Sequence, residues 1–348
     1  MHRFQTPRIR DVRKAMTFIR PHRPSRDELM YNVEIRRGAF LSVTYLSALP
    51  QHWQREQAVQ LARIIAVQHT HPRCVPTGIS AAYLHGARAF DYPGDVHMAS
   101  LSNSTRSAKV LPAVTLGEEV LASRATIVFH RMLPIANHAC RIDGVRSLTL
   151  HDALLTLAAQ ECGALAFSMA CSGMRLLIEN TRSRSIGFKK RLRTLRQSLS
   201  AQFKQLESGH RHRADGSWLF AHADAACESP GESHILWILR SSGLAGIETQ
   251  YEVTSNGKRF FFDLCFPEAR VAIEFDGRFK YGDSDLEIDE ATAKQVQRQT
   301  QLEADGWQFI RFRWEDLPDY SKILNSVFML LLQVGVCPAT MRRARVHA

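Results

Sequence analysis

From Lys258 to Gly277 the sequence reads KRFFFDLCFPEARVAIEFDG, two short segments of alternating side chains joined by Pro267-Glu268-Ala269-Arg270. A period of two predicts a β-hairpin of Phe260–Phe266 against Val271–Asp276. In that register Phe266 faces Val271, and Asp263 faces Glu274. One face then carries Phe260, Phe262, Leu264, Phe266, Val271, Ile273 and Phe275, and belongs in a core. The other carries Phe261, Asp263, Cys265, Ala272, Glu274 and Asp276. Like charges opposite one another on a ladder repel. Two readings of those acids stand: a solvated outer face, or a site for a hard divalent cation such as Mg²⁺.

Helical spacing is clearest at Phe188, Leu192, Leu195, Leu199 and Phe203, an apolar stripe with Lys189, Lys190, Arg191, Arg193 and Arg196 on its other side. Arg182 and Arg184 lie just upstream, so this run reads either as a solvated face or as a track for a phosphate backbone. Further helices are predicted from Trp53 to Gln68, from Ile79 to a stop at Gly86, near Thr149–Ala159, and from Ser321 to Val334. Ser25-Arg26-Asp27-Glu28 has the form of a capping box. So does Ser229-Pro230-Gly231-Glu232, which opens a helix running to about Ser242 with Gly243 beyond it. Strands are expected after Arg36-Arg37-Gly38, near Ala125–His130, near Ile247–Val253 and at Trp307–Arg313. A helix from about Asp289 to Ala304 precedes Gly306. A polar loop from Glu207 to Trp218 separates the two halves. After Ser229 the order is α-β-β-β-α-β-α.

Composition narrows the class. The 348 residues predict two or three domains, and 45% hydrophobic with 23% charged residues is ordinary for a soluble globular chain. The net charge of +11 points to a polyanionic partner, DNA foremost, and the first 40 residues hold ten Lys/Arg against four Asp/Glu. Seven scattered cysteines without a CxxC pair suit reduced thiols, and no apolar stretch is long enough to span a bilayer. A cytoplasmic protein without membrane contact is the expectation. His69-Thr70-His71-Pro72-Arg73-Cys74 and His210-Arg211-His212-Arg213 have ligand-like density, but no partner pair lies near in sequence. Both read as loops.

The C-terminal pattern resembles the very-short-patch-repair endonuclease-like family of the PD-(D/E)XK nuclease superfamily. The likeness rests on SPGESHILWILRSSGL, the Gln250 position, FFDLCFPEARVAIEFDG and RQTQLEADGWQFIRFRWEDL, about Glu228 to Leu332. Ahead of it, RRGAFLSV followed by a helix and GISAAYLHG is similar to abortive-infection type IV antitoxins, which carry an N-terminal winged-helix element. The whole chain looks like a bacterial, chiefly actinobacterial, group in which the two regions are fused.

That resemblance implies an α/β (α+β overall) chain. An antitoxin-like, DNA-binding region would cover 1–206, a linker 207–227, a restriction-endonuclease-like αβββαβα domain 228–335, and a basic tail 336–348. It implies a Mg²⁺- or Mn²⁺-dependent endodeoxyribonuclease with Asp263 and Glu274 as metal ligands. Glu232 would contribute from the first helix, although its place at the cap gives it a structural reason as well. Lys280, four residues beyond Asp276 in a Lys-Tyr pair, is the candidate catalytic lysine. Asp276 stands where orthodox members place that lysine, Gln295 where an acid is common, and Phe262 where a proline is usual. Lys258, Arg298, Arg36 and Arg37 are the candidate DNA contacts. The alternative is a DNA-binding regulator or antitoxin, paired with a cognate toxin, whose nuclease-like domain is inert.

Overall fold

The computed structural model describes residues 6–19, 30–90, 94–100, 108–178, 187–206, 212–277 and 296–337. Lys280, Gln295, Arg182, Arg184, the Ser25–Glu28 capping box, His210, Arg211 and most of the 336–348 tail lie outside the described residues. The architecture is mixed α and β. Two compact units divide the chain, one of residues 1–162 with 198–218, the other of 163–197 with 219–348. This division differs from a cut near 206–228. Gly163–Leu177 packs against the helix Pro230–Ser241, so it belongs with the C-terminal elements. The expected polar loop also contains the helix Arg213–His222, which its scattered apolar residues conceal.

In the first unit the helix His52–Thr70 is the central buried element. Even its Arg63 is only 1% exposed, with the guanidinium donating to the carbonyls of Pro112 and Ser123 at 2.7 and 2.6 Å. The strands Met16–Phe18, Ala39–Ser42 and Asn32–Arg36 form an antiparallel sheet whose hairpin turns at Gly38, φ 79°. A second sheet runs in the order Cys74–Pro76, Val96–Ser100, Ala125–Arg131 and Lys109–Leu111, with its central pair parallel. The helix Leu150–Gln160 starts on the Thr149 cap. His69 stacks on Phe18, and buried His71 sits within 3.1 Å of the Val67 carbonyl at the helix end.

The second unit is built on a four-stranded sheet in the order Glu248–Ser255, Lys258–Phe266, Val271–Asp276 and Gln308–Arg313. The first three strands are antiparallel and the last pair parallel, which requires a crossover between 276 and 308. Helix 296–304 is the described part of it. The α-β-β-β-α-β-α order is therefore present, ending in the helix Tyr320–Gln333. Asn256-Gly257 makes the tight turn between the first two strands, with φ of 46° and 72° as a two-residue hairpin of the primed type demands. No helix among the described residues is long and apolar enough to cross a membrane.

The register Phe266↔Val271 is found, but the ladder ends at Leu264↔Ile273, one pair short of Asp263 and Glu274. The faces also need correction. Phe260 and Phe262 do not share a face with Leu264, Phe266, Val271, Ile273 and Phe275. They pack with Cys265, Ala272, Leu302 and Trp307, beneath helix 296–304. The cause is Gln250. Its φ of +46° interrupts the neighbouring strand where Asp263 should pair, and alternation slips there on both strands. Phe275 lies on the other side, against Gly231 of the helix Pro230–Ser241.

Candidate functional site

The helix Pro230–Ser241 begins on a cap. Ser229 Oγ accepts the Glu232 amide at 3.1 Å, and Pro230 occupies the first helical position, where its missing N–H costs nothing. A closed capping box would return the Glu232 carboxylate to the amide of Ser229. Instead it accepts the amide of Glu228, at 2.8 Å. The carboxylate stays buried, the residue 6% exposed, and its second neighbour is the side chain of Gln250. Gly231 makes the approach feasible, because a Cβ there would stand 2.3 Å from the Phe275 ring.

Asp263 occupies the point where the strands part. Its Oδ2 accepts the Phe275 amide at 3.0 Å, replacing the missing ladder bond. Its Oδ1 lies 3.4 Å from Gln250 Nε2, and the same nitrogen lies 3.3 Å from Glu232 Oε2. One amide thus bridges two carboxylates. Burial above all, then the charge of Asp263, pushes the Glu232 carboxyl up to about 8. Burial, then the charge of Glu274, pushes Asp263 up to about 6, against the lowering pull of the Phe275 amide, Gln250 and Arg298.

Glu274 has a different setting. Arg298 Nη2 donates to its Oε1 at 2.7 Å, and Arg311 Nε to its Oε2 at 3.4 Å. The same Arg298 nitrogen donates to the Phe261 carbonyl, and the guanidinium lies 5.9 Å from the Phe260 ring centre. Arg298, expected at the phosphate, is therefore the clamp of Glu274. The donor atoms of Glu232, Asp263 and Glu274 do not all lie within 4.8 Å of one another. Asp276 sits opposite Arg313 on the parallel ladder.

The remaining candidates are dispersed. Lys258 is exposed at the hairpin tip, five residues from Asp263 and so about 16 Å along the strand. Arg36 and Arg37 belong to the first unit. Arg36 donates to Thr70 Oγ1 at 2.5 Å, and burial lowers its pKa. Arg37 is exposed in the turn before Gly38.

Two features were not singled out from sequence: Arg311, visible only as an exposed strand position in QFIRFR, and the backbone amide of Phe275, which carries no side-chain signal at all. A cavity of about 360 Å³ opens beside Gln250. Lys189, Arg193, Arg196 and Arg240 line it together with Asp224 and Glu248, which pair with all of these cations but Arg193. Comparison with protein-family models, with curated proteins and with solved structures finds no match for this chain.

Proposed function

We propose that the second unit is a divalent-metal-dependent endonuclease domain of the restriction-endonuclease-like kind, hydrolysing phosphodiester bonds in DNA. One observation carries the reading: a buried Glu232 and a half-buried Asp263 are held side by side on a single bridging amide. Charge alone opposes that arrangement, and carboxyls raised to about 8 and 6 are its signature. Strongly shifted acids of this kind recur at functional sites.

The donors fit the ion. Carboxylate oxygens suit Mg²⁺ or Mn²⁺, and a divalent charge relieves the repulsion that raises both carboxyls. When bound, such an ion supplies Lewis-acid polarisation of the phosphate and a more acidic water. Asp263 is the central holder, oriented by the Phe275 amide and Gln250, with Glu232 behind it. Glu274, paired with Arg298 and Arg311, would reach the ion through a remaining lone pair or by giving up one of these partners. Lys280 as a further phosphate contact rests on the family resemblance. The basic helix Phe188–Phe203 and Lys258 offer cations to the backbone, and the antitoxin-like first unit, with Arg36 and Arg37, brings DNA to the domain.

A second reading has its own support. Both oxygens of Glu274 are matched by arginines without any ion, and Asp276 stands where a lysine is expected. On that reading the chain is a DNA-binding regulator or antitoxin with an inert nuclease-like domain. Plasmid nicking by the full chain under Mg²⁺ or Mn²⁺ titration, with Asp263→Ala alongside, separates the two. The nuclease reading expects metal-dependent nicking that Asp263→Ala reduces by roughly 10²- to 10³-fold. It is lost if wild type never nicks, or if the variant nicks equally well. Salt-dependent operator binding indifferent to Asp263→Ala would favour the regulator.

A further inference from the structure

The first unit holds a second group of metal-binding side chains, unrelated to the carboxylate pair. Cys162, His212 and Asp215 each bring a donor atom within 4.8 Å of the other two. They come from distant segments. Cys162 lies just past the end of the helix Leu150–Gln160, while His212 immediately precedes the helix Arg213–His222 and Asp215 sits in its first turn. A spacing of three residues puts His212 and Asp215 on one face, with Nδ1 3.5 Å from Oδ2. Gly216 explains how the segments meet. A Cβ at that position would lie 2.5 Å from the Ala158 carbonyl and 2.3 Å from the Phe203 ring. With only hydrogen there, the start of one helix rests on the last turn of the other and carries His212 and Asp215 to Cys162.

An acid and a histidine at a helix start have an ordinary explanation, since an anion in the first turn suits the helix dipole. That explanation accounts for Asp215 but not for what surrounds it. Glu161, next to Cys162, has Oε1 3.4 Å from His97 Nδ1 and feels the charge of His212. His97 is 7% exposed, and its Nδ1 is 3.1 Å from Nε2 of His130, with the two rings stacked. A buried His97, stacked on a half-buried His130, therefore positions a carboxylate beside a thiol–imidazole–carboxylate trio. Metal sites orient their inner ligands through outer groups of this kind.

We infer that Cys162, His212 and Asp215 bind one zinc-class divalent ion, with Glu161, held by His97, as the outer carboxylate. One sulfur, one nitrogen and one oxygen donor suit Zn²⁺ or Co²⁺ rather than Mg²⁺. Three protein ligands leave the fourth tetrahedral position to water or to an incoming group. The ion ties the start of Arg213–His222 to the end of Leu150–Gln160, two elements that otherwise meet through the close packing at Gly216.

The test uses the full chain, stripped with a chelator and carrying Asp263→Ala so that the carboxylate site does not contribute. One equivalent of Co²⁺ should produce thiolate-to-cobalt charge-transfer absorption, which Zn²⁺ displaces. Cys162→Ser should abolish that absorption. His212→Gln should weaken binding at least tenfold, on the scale at which such ligand shells matter. Circular dichroism confirms that the variants are folded. A labelling readout needs no variant: Zn²⁺ should slow iodoacetamide modification of Cys162 at least tenfold, leaving Cys337, the other exposed cysteine, at its metal-free rate. Equal labelling of Cys162 with and without Zn²⁺ overturns the inference. So does charge-transfer absorption that survives Cys162→Ser, or unchanged affinity in His212→Gln.

Discussion

Two aspartates in the second unit, buried Asp224 and half-buried Asp263, are surrounded in opposite ways. Asp224 is 8% exposed and accepts the Ala226 amide at 3.0 Å and the Thr249 hydroxyl at 3.1 Å. Arg196 and Arg240 stand 3.5 and 3.7 Å from its Oδ2 while also binding the carbonyls of Ala223 and His222. Every part of that carboxylate is answered. Asp263 has one backbone amide, a shared side-chain amide, and the carboxylates of Glu232 and Glu274 for neighbours. Thr249 and Gln250 are consecutive residues of one strand, the first serving Asp224 and the second serving Asp263. The same fold therefore neutralises one acid and leaves the next in tension, and the proposed site rests on that difference.

The strongest way to break this contrast is to delete each acid. Asp263→Asn should cut metal-dependent nicking by roughly 10²- to 10³-fold while raising stability at pH 8, the exchange expected of a site maintained against stability. Asp224→Ala should do the reverse. It strips the counter-charge from two part-buried guanidiniums and should lower unfolding free energy by about 3 kcal/mol in a urea titration. If Asp224→Ala is neutral, or Asp263→Asn destabilises as much, the two acids do not differ in kind.

The pH dependence of stability reads the same contrast. Glu232 and Asp263 have folded-state pKa values of about 8 and about 6, both above the ordinary carboxyl range. Where the unfolded chain has released those protons and the folded chain still holds them, stability falls as pH rises, by about 1.4 kcal/mol per unit for each proton. The stabilising contribution is complete below about pH 4. The share from Asp263 is spent by about pH 6, and that from Glu232 by about pH 8. Denaturation in chelator at pH 5, 6.5, 8 and 9 should follow that decline. Glu232→Gln should flatten it between 6 and 8, and Mg²⁺ should protect more at pH 8 than at pH 5. A flat profile for wild type removes the tension on which the site reading depends.

Local patterns carried most of the second unit. The Phe188–Phe203 stripe, the Ser229 cap, the Phe266↔Val271 register and the α-β-β-β-α-β-α order follow from spacing over a few residues, and each is present. What the pattern hid depends on backbone conformation or on contacts distant in sequence. A left-handed glutamine reverses the facing of Phe260 and Phe262, and nothing in a period-two reading anticipates a positive φ at Gln250. Glu274 looked like the partner of Asp263 because the ladder was extrapolated one pair too far. Its actual partners, Arg298 and Arg311, arrive from a helix and a strand beyond the crossover. The helix Arg213–His222 gives no clear sequence signal, because its stability comes from tertiary packing at Gly216 rather than from an amphipathic stripe.

The finest test uses the adjacent strand residues. Thr249→Val removes one hydroxyl donor from Asp224, which keeps an amide and two arginines. The loss should be about 1 kcal/mol, since it concerns one hydrogen bond to a carboxylate that keeps its other partners. Gln250→Ala retains a Cβ, so the left-handed backbone is strained about as before, but the bridge between Glu232 and Asp263 disappears. Its amide favours the ionised form of Asp263, so losing it raises that carboxyl further. The destabilisation should therefore be slight at pH 5, where both acids hold protons, and should grow to about 1 kcal/mol by pH 8. Neighbouring substitutions of similar size with different pH signatures would show that the division between the two acids is made within a single pair of strand residues. Matching signatures would mean that the amide at Gln250 merely fills space.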